Sequence, residues 1–443
     1  GWAEALGAQL AANELMGRLG GLCLAGRQNG QAFSFLHTFG GALVAGLLQG
    51  LSPERLAHAL ALALAQAPHV DWRLFGSSGK LLTAARPLVD GWRLAALAGA
   101  GMDGPLELLD RPGDFLAIFA GDKPLRGWLS GLPDHGSAPT GWLTWSLAIK
   151  AAPGCAYLGT ALEALDAVAL DLLDEGHALR AEDVLRIDVD AGLLTLAMER
   201  LLGNASEPMH PVSVTFSVAK TLALRLVAGS VSPGTLRQET LDAHSSALLD
   251  LAGRVHVRHD WRHTLTTWNS LRQSMGIDRL MSGIGPVPLL AAAGRAGGLG
   301  LEAGLSLAEL PMAFAGDRWH DFDRDEASAL LGRGIGRLTS LAARGVERVL
   351  SSAPPGRERR RPFDLADQAL ESVAFPVPAR VRVLLHGGQV REAEVAIARG
   401  APGRPVRETR ALAYAKLAGG LGSASTQQRG EALAARLLGP PEA

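Results

Sequence analysis

The stretch RVRVLLHGGQVREAEVAIARG, residues 380–400, decides the fold class of the second half of this chain. Apolar and polar side chains alternate on both sides of Gly387-Gly388, and a two-residue period is that of a half-buried strand. The paired glycines mark a tight turn between the two alternating runs. The stretch therefore predicts a β-hairpin.

Two earlier stretches alternate in the same way, VLRIDVDAG at 184–192 and RVHVRHD at 254–260. Apolar residues at helical spacing lie between them, at 158–173 and 217–228. Strands mixed with helices in this order are typical of an α+β domain, in which antiparallel strands are the favoured pairing. We therefore predict a second part that is α+β.

The first part has a different character, because nothing before about Trp145 alternates with the period of a strand. Ser52, Pro53 and Glu54 are typical of a helix start, with a capping hydroxyl, a proline in the first position and an acid in the first turn. The helical pattern returns from Ala411 to Leu438, so we expect the C-terminus to pack on the first part.

Composition narrows the class of protein. The chain of 443 residues has a net charge of −1, which gives no field that would attract nucleic acid or an acidic surface. Two cysteines favour a reduced, cytoplasmic protein. No apolar run reaches the roughly 20 residues of a membrane helix, and no signal peptide is visible. Because the chain begins at Gly1 inside a helical pattern, we expect an N-terminal portion to precede it.

No familiar catalytic motif in the sequence identifies a reaction. The glycines at 297–304 and 332–337 follow no predicted strand, so turns or helix packing are favoured over a dinucleotide site. In HVRHDWRH, residues 256–263, strand alternation places His256 and His259 on opposite faces, which favours a solvated strand end over a metal site. Neither a Walker loop nor a nucleophile elbow occurs in the sequence.

Lysine is rare in this chain. Lysine and arginine together number 43, but only five of them are lysine. The two side chains are not equivalent, because the lysine ammonium loses its proton readily on burial and arginine stays charged. A retained lysine is therefore a candidate for chemistry. The five are Lys80, Lys123, Lys150, Lys220 and Lys416.

Six motifs in order resemble those of the MmgE/PrpD family, which includes 2-methylcitrate dehydratases, cis-aconitate decarboxylases and iminodisuccinate epimerases. The resemblance covers about residues 2–258 and 377–420. The motifs are LGAQLAANELMGRLG (6–20), HTFGGALVAGLLQGLSPERLAHALALA (37–63), GKLLTAARPLVDGWRLAALAGAGMDGP (79–105), IKAAPGCAYLGTALEAL (149–165), FSVAKTLALRLVAG (216–229) and VRVLLHGGQVREAEVAIARGAPGRPVRETRALAYAKL (381–417).

The resemblance implies a large all-helical domain, residues 1–145 and 403–443, and a smaller α+β lid, residues 146–402. Residues 262–376 would be a helical insert in the lid. It also implies a homodimer that uses no metal or organic cofactor. Such enzymes remove a proton next to a carboxylate, then expel water or CO₂ or return the proton, at a site between the domains.

Carried over by position, the site is only partly retained. Lys80 and Lys150 match the two lysines of the family, Cys155 matches its cysteine and Lys416 its C-terminal lysine. Four positions depart from the family pattern. Three of them are histidines of the family: the first falls near Ser34, three residues from His37, the second is replaced by Thr83, and the third is replaced by Gly159. The fourth is a tyrosine of the family, which is replaced by Lys220.

The leading prediction is a divergent, cofactor-independent lyase or isomerase, in a biosynthetic pathway outside central metabolism, that acts on an anionic or carbonyl-containing small molecule. Three ammonium groups in one site would disfavour one another's charge, a route to a neutral lysine base. The predicted catalytic residues are Lys220, Lys150 and His37, and the predicted substrate-binding residues are Lys80, Thr83, Ser34 and Tyr157.

Several alternatives stay open. Lys80 could be a cation at a helix start without a role, and Lys220 could lie on a helix surface. The protein could be a non-catalytic or structural member of the family. It could also be a dehydratase of central metabolism, similar to 2-methylcitrate dehydratase, whose missing histidines come from the insert, for instance His263 or His320.

Overall fold

The computed structural model describes most of the chain outside the predicted insert. The residues described are 1–23, 34–68, 74, 77–111, 113–120, 124–132, 142–199, 209–275, 363–368, 370–419, 431–432 and 435–436. Both glycine stretches considered for a dinucleotide, most of the predicted insert and His320 lie outside these residues. The described chain divides into two compact units, which meet in sequence between Trp145 and Ser146.

The first unit is helical. Five α-helices and a 3₁₀ turn at Ser78–Thr83 form its described framework. The helices are α1 (Trp2–Leu22), α2 (Ser34–Leu48), α3 (Pro53–Ala65), α4 (Ala85–Gly99) and α5 (Phe115–Phe119). As predicted, Ser52 caps α3, where its hydroxyl accepts a hydrogen bond from the Arg55 amide at 3.2 Å. Pro53 occupies the first helical position, which needs no amide proton.

Glycine lets two helices of this unit approach backbone to backbone. A β-carbon on Gly91 of α4 would lie 2.1 Å from the Thr38 carbonyl oxygen of α2, and one on Gly41 would lie 2.5 Å from the Leu88 carbonyl oxygen. No side chain fits at such distances. A separate cluster of aromatic rings fills the core beside α5, with Phe35 and Phe119 centred 4.6 Å apart.

The second unit is α+β, as predicted. Its four strands are the three alternating stretches of the sequence, the last of which forms a hairpin closed at Gly388 with φ of +79°. Its elements are α6 (Gly159–Asp174), β1 (Val184–Ala191), α7 (Leu193–Met198), α8 (Pro211–Phe216), α9 (Val218–Val227), α10 (Gln238–Ala243), α11 (Ser245–Gly253), β2 (Val255–His259), α12 (Trp261–Met275), β3 (Ala379–Leu385), β4 (Val390–Val395) and α13 (Val406–Gly419).

The four strands form one mixed sheet in the order β2-β1-β3-β4. β3 pairs antiparallel with both β1 and β4, but β1 and β2 run parallel, which the preference for antiparallel strands did not predict. A parallel pair requires a long crossover, and α7 to α11 provide one. Helices α6 and α9 cover one face of the sheet, where Ile187, Val189 and Val381 are fully buried.

The described C-terminal segment contacts the second unit. Gly400 has a φ of +75° and lies where no side chain fits. A β-carbon there would lie 2.1 Å from the Ile149 carbonyl oxygen and 2.7 Å from Leu412 of α13. Lys416 of α13 donates to the Lys150 carbonyl oxygen. Residues from Ser372 onward are therefore grouped with the second unit, whereas the resemblance implies that 403–443 join the helical domain. The wider domain limits stay a prediction.

No helix among the described residues has the length and apolar character that crossing a bilayer requires.

Candidate functional site

The predicted site residues are divided between the two units. Ser34, His37, Lys80 and Thr83 belong to the first unit, and Lys150, Tyr157 and Lys220 belong to the second.

In the first unit, the residues lie at the start of α2 and in the 3₁₀ turn before α4. Ser34 is buried and His37 is half-buried, and burial lowers the pKa of His37. The buried Thr83 hydroxyl donates to the Lys80 carbonyl oxygen at 2.7 Å, so this hydroxyl closes the turn that carries the lysine. His37 is therefore a neutral ring at neutral pH, and Thr83 has a structural hydrogen bond besides its predicted role.

Lys220 is buried in the first turn of α9, with 8% of its surface exposed. Ser217 precedes this helix, and its hydroxyl accepts from the Lys220 amide at 3.1 Å. The same hydroxyl donates to the Glu199 carboxylate at 2.9 Å, which also accepts from the Val218 amide. The lysine and the glutamate therefore share one buried environment at the N-terminus of α9. The helix-surface alternative for Lys220 is wrong.

Glu199 has opposing influences on its ionisation. Burial raises the pKa of its carboxyl group, while the Ser217 hydroxyl, the amides of Val218 and Ala219 and the charge of Lys220 act in the other direction. Both carboxylate oxygens accept hydrogen bonds at a helix N-terminus, where a negative charge is favoured. Burial is the largest of these influences, so the pKa of Glu199 is raised overall while its oxygens stay hydrogen-bonded beside the buried lysine.

His210 is the third member of this group. Its Nδ1 accepts from the Ser213 amide at 3.3 Å and caps α8, so the neutral ring carries its proton on Nε2. The pKa of His210 is lowered, first by burial and then by the charge of Lys220. At neutral pH it is therefore a neutral hydrogen-bond donor.

A cleft of about 220 Å³ lies elsewhere in the second unit, between the loop 148–156, α6, α9 and residues 398–401. Lys150 lines it and donates from Nζ to the Gly154 carbonyl oxygen at 2.5 Å. Within the described part of the chain, no carboxylate lies within 4 Å of this ammonium group. The two arginines that line the cleft, Arg225 and Arg399, are paired with Asp166 and Glu163.

Lys220 does not line this cleft, although the next residue, Thr221, does. Tyr157 is half-buried near Cys155, and the pKa of Tyr157 is raised, first by burial and then by Cys155. Of the three predicted lysines, Lys80 belongs to the first unit, and Lys150 lines a cleft of the second unit that Lys220 does not line. Lys150 instead has Lys416 as its neighbour, through its own carbonyl oxygen.

Gly159 is the residue that the resemblance aligns with a histidine of the family. It begins α6, and a β-carbon there would lie 3.1 Å from the β-carbon of Ala398. That separation is closer than ordinary van der Waals contact, so a larger side chain needs Ala398 to shift by a few tenths of an ångström.

The two histidines of β2 differ in exposure. His256 is exposed and His259 is buried, as expected for opposite faces of a strand, but the burial of His259 differs from the solvated strand end that the sequence favoured. Among the described residues, no group of three side chains suited to a metal ion occurs. His263 is buried with Nε2 3.5 Å from a Glu394 carboxylate oxygen. Burial is the main influence on His259 and lowers its pKa to about 4.

Sequence reasoning found Lys220 but missed Glu199 and His210. No motif marks Glu199, which lies 18 residues before Ser217 in a helical stretch. His210 does have a local signal, because Pro211 follows it at the first helical position and Ser213 completes a reciprocal cap.

Residues 1–127 match the family model of the MmgE/PrpD N-terminal domain. The match confirms the predicted membership of the MmgE/PrpD family over these residues, which include Ser34, His37, Lys80 and Thr83. The family includes lyases and isomerases. No curated protein matches the chain.

Proposed function

We propose that this protein is a lyase or isomerase of the MmgE/PrpD type, which moves a proton on the carbon next to a carboxylate or carbonyl group. The observation that carries the proposal is the group of buried Lys220, buried Glu199 and half-buried His210 in the second unit, in which the charge of Lys220 acts on the ionisation of the other two. Buried titratable groups that change one another's ionisation are typical of acid–base sites. Lys220 stands where the family has a tyrosine.

In this proposal Lys220 acts in its neutral amine form: it takes the proton from the substrate and becomes an ammonium group beside Glu199. His210 donates from Nε2 to the oxygen on which the negative charge of the enolate develops, a role that suits a neutral imidazole. Glu199 accepts hydrogen bonds from the Ser217 hydroxyl and the Val218 amide, and so fixes the first turn of α9, which carries Lys220. In a dehydration the enolate expels hydroxide from the neighbouring carbon, and the Lys220 ammonium returns the proton to it to give water; in an isomerisation a proton returns to the carbon on the other face. In a decarboxylation the loss of CO₂ itself forms the enolate, and a proton is then added to the carbon.

Lys150 lines a cleft that Lys220 does not line. Its ammonium group has no carboxylate within 4 Å in the described part of the chain, which favours an anionic ligand in that cleft. His37 as a further acid–base residue, and Lys80, Thr83, Ser34 and Tyr157 as substrate-binding residues, stay part of the proposal. So do the absence of a cofactor, the homodimer, the cytoplasmic location and a biosynthetic pathway.

The experiment that tests this proposal is proton exchange in D₂O. The protein is incubated with 2-methylcitrate, cis-aconitate and iminodisuccinate, the substrates in the family's enzyme names, and with simpler carboxylic and 2-oxo acids. NMR then follows deuterium at the carbon next to the carboxylate or carbonyl group. We expect enzyme-dependent exchange with at least one compound, and a loss of about 10²-fold or more in Lys220→Met, as is usual for removal of an acid–base group.

Arg391→Gln is a matched control, since it removes a positive charge from the same unit at Arg391 of the hairpin, which pairs with Glu175 at the end of α6. It should exchange at the wild-type rate. Exchange that survives in a folded Lys220→Met variant would show that the lysine is not the base.

A non-catalytic member of the family is a second candidate. Gly159, Thr83 and Glu199 favour it, since the first lacks a side chain and the other two already have structural hydrogen bonds. It predicts no exchange with any compound. The central-metabolism alternative predicts dehydration of 2-methylcitrate that is lost in a His263 variant.

A further inference from the structure

Three arginines surround one buried aspartate on the sheet face opposite α6 and α9. Asp190 of β1 is 7% exposed. Its Oδ2 accepts from Arg380 Nη2 at 2.8 Å and from Arg382 Nη2 at 3.3 Å, and its Oδ1 lies 3.0 Å from Arg258 Nη2. One carboxylate thus faces three guanidinium groups.

The strand pairing explains why these side chains meet. Asp190 is directly opposite Arg258 on β2 and opposite Arg380 on β3, and Arg382 is the next residue of β3 on the same face. Alternation points all four away from the core, in which Val189 and Val381 lie. The arginines remain partly open to solvent, with 47%, 26% and 33% of the side chains of Arg258, Arg380 and Arg382 exposed.

The charges of the cluster do not balance locally. In the register of β3 and β4, Glu394 and Glu392 are opposite Arg380 and Arg382, but among the described residues neither carboxylate comes within 4 Å of a cluster arginine. Glu394 turns to His263 instead, at 3.5 Å. Asp188 is opposite Arg382 on the same face but pairs with Arg186 at 2.6 Å. Among the described residues, Asp190 is therefore the one carboxylate within 4 Å of the three cluster arginines.

The three arginines of the cluster also have hydrogen-bond donors that Asp190 does not use. Each guanidinium has five N–H groups, and the three arginines direct only a few of theirs at Asp190. Arg382 Nε is buried, and no acceptor lies near it in the described part of the chain. A purely structural ion pair needs one arginine, or two; a third guanidinium beside the same carboxylate adds repulsion between like charges.

We propose that this arginine cluster, Arg258, Arg380 and Arg382 held by Asp190, binds an oxyanion, the phosphate or carboxylate group of a small molecule. Arginine suits this role because its planar N–H groups match the oxygens of both anions. Asp190 fixes the arginines in place before the anion arrives, and the anion removes the remaining repulsion. The cluster is on the other face of the sheet from α9, which carries Lys220.

The test is isothermal titration of the full chain with inorganic phosphate, and separately with malonate, at pH 7 and at an ionic strength held constant with NaCl. We expect saturable binding of at least one anion. Arg258→Gln and Arg382→Gln should each weaken it about tenfold, the usual effect of one charge-assisted hydrogen bond. The ratio of the two affinities tells whether phosphate or carboxylate is preferred.

Arg186→Gln is the matched control. Arg186 is on the same face of the sheet, its side chain is 46% exposed, and it pairs with Asp188 at 2.6 Å outside the cluster. It should change the affinity less than twofold. Binding that is absent up to about 10 mM, or that falls equally in Arg186→Gln and in Arg258→Gln, would overturn the proposal, since the second result indicates a general surface charge. Circular dichroism confirms that each variant is folded.

Discussion

His259 is a buried histidine that the fold keeps neutral. Its Nε2 lies 2.8 Å from the Thr264 hydroxyl, and the ring meets Trp261 edge to face. Burial, its main influence, lowers the pKa of His259 from 6.5 to about 4. Because the folded pKa is below the unfolded pKa, the stability that the neutral ring provides is complete above pH 6.5 and is lost as the pH falls towards 4.

We therefore expect the free energy of unfolding to fall by up to about 3 kcal/mol between these pH values through His259 alone. His259→Gln should flatten this acid limb when urea unfolding is measured at several pH values. The exposed His256 on the same strand is the control, and His256→Gln should leave the limb unchanged. An unchanged limb in His259→Gln would assign the acid sensitivity to other groups.

Glu199 is expected to matter for stability as well as for chemistry. In Glu199→Gln one amide N–H group would face the donors Ser217 and Val218, and the charge beside Lys220 would be lost. We expect a loss of about 1–3 kcal/mol in urea unfolding, the usual cost of a buried donor without an acceptor. Glu163→Gln, at a carboxylate of the same unit whose partner Arg399 is half exposed, should cost less.

Single residues of the site were only partly predictable. Lys220 could be selected because lysine is scarce here and because its motif has a known position in the family. Glu199 could not, since its partnership with Lys220 depends on how a helix 18 residues away is placed against Ser217. Contacts of this kind arise from packing and leave no local pattern.

At the scale of elements, helices α2 and α4 depend on glycine where their backbones touch. A β-carbon on Gly91 would lie 2.1 Å from the Thr38 carbonyl oxygen, so Gly91→Ala must separate the helices. We expect a loss of about 3 kcal/mol or more in chemical denaturation, as for an overpacked core. Gly7 in α1 has nothing within 4 Å of its β-carbon position, and Gly7→Ala should stabilise by about 0.5–1 kcal/mol. Equal effects would contradict the packing of α2 on α4.

The sheet offers a prediction that is independent of any ligand. Asp190→Asn leaves three guanidinium groups around a neutral amide, and we expect a loss of about 3–5 kcal/mol, as for a broken buried ion pair. Added salt should recover part of this loss, because it screens the repulsion between arginines. Asp188→Asn, at a more exposed carboxylate with one arginine partner, is the control. A loss that does not respond to salt would indicate a packing defect.

The strands themselves were predictable, since alternation alone locates all four. The parallel pairing of β1 with β2 was not, because local pattern contains no information on strand direction when a long crossover joins two strands.

At the scale of the whole molecule, each compact unit has a hydrophobic core of its own. Phe35 belongs to a core of the first unit and Leu165 to that of the second, and both are buried. Phe35→Ala and Leu165→Ala should each cost about 2–5 kcal/mol. Hydrogen exchange read by mass spectrometry should show lost protection in the unit that carries the substitution. Equal losses throughout the chain in both variants would mean that the two cores unfold together.

The combination of a helical part and an α+β part could be predicted from periodicity, since the two parts differ in the period of their apolar residues. The contact of α13 with the second unit could not be predicted, because the residue pattern of a short helix does not indicate which element it packs against. Family membership rests on the match over residues 1–127, and the motifs beyond them remain a resemblance.

The contact between Gly159 and Ala398 also bears on whether the usual family site could return. Ala398 lies 3.1 Å from where a β-carbon of residue 159 would begin, so a side chain there must displace Ala398 by a few tenths of an ångström. Ala398→Gly would remove this contact. A histidine at 159 is therefore easier to accommodate together with Ala398→Gly than alone, and an attempt to restore the family residue should combine the two substitutions.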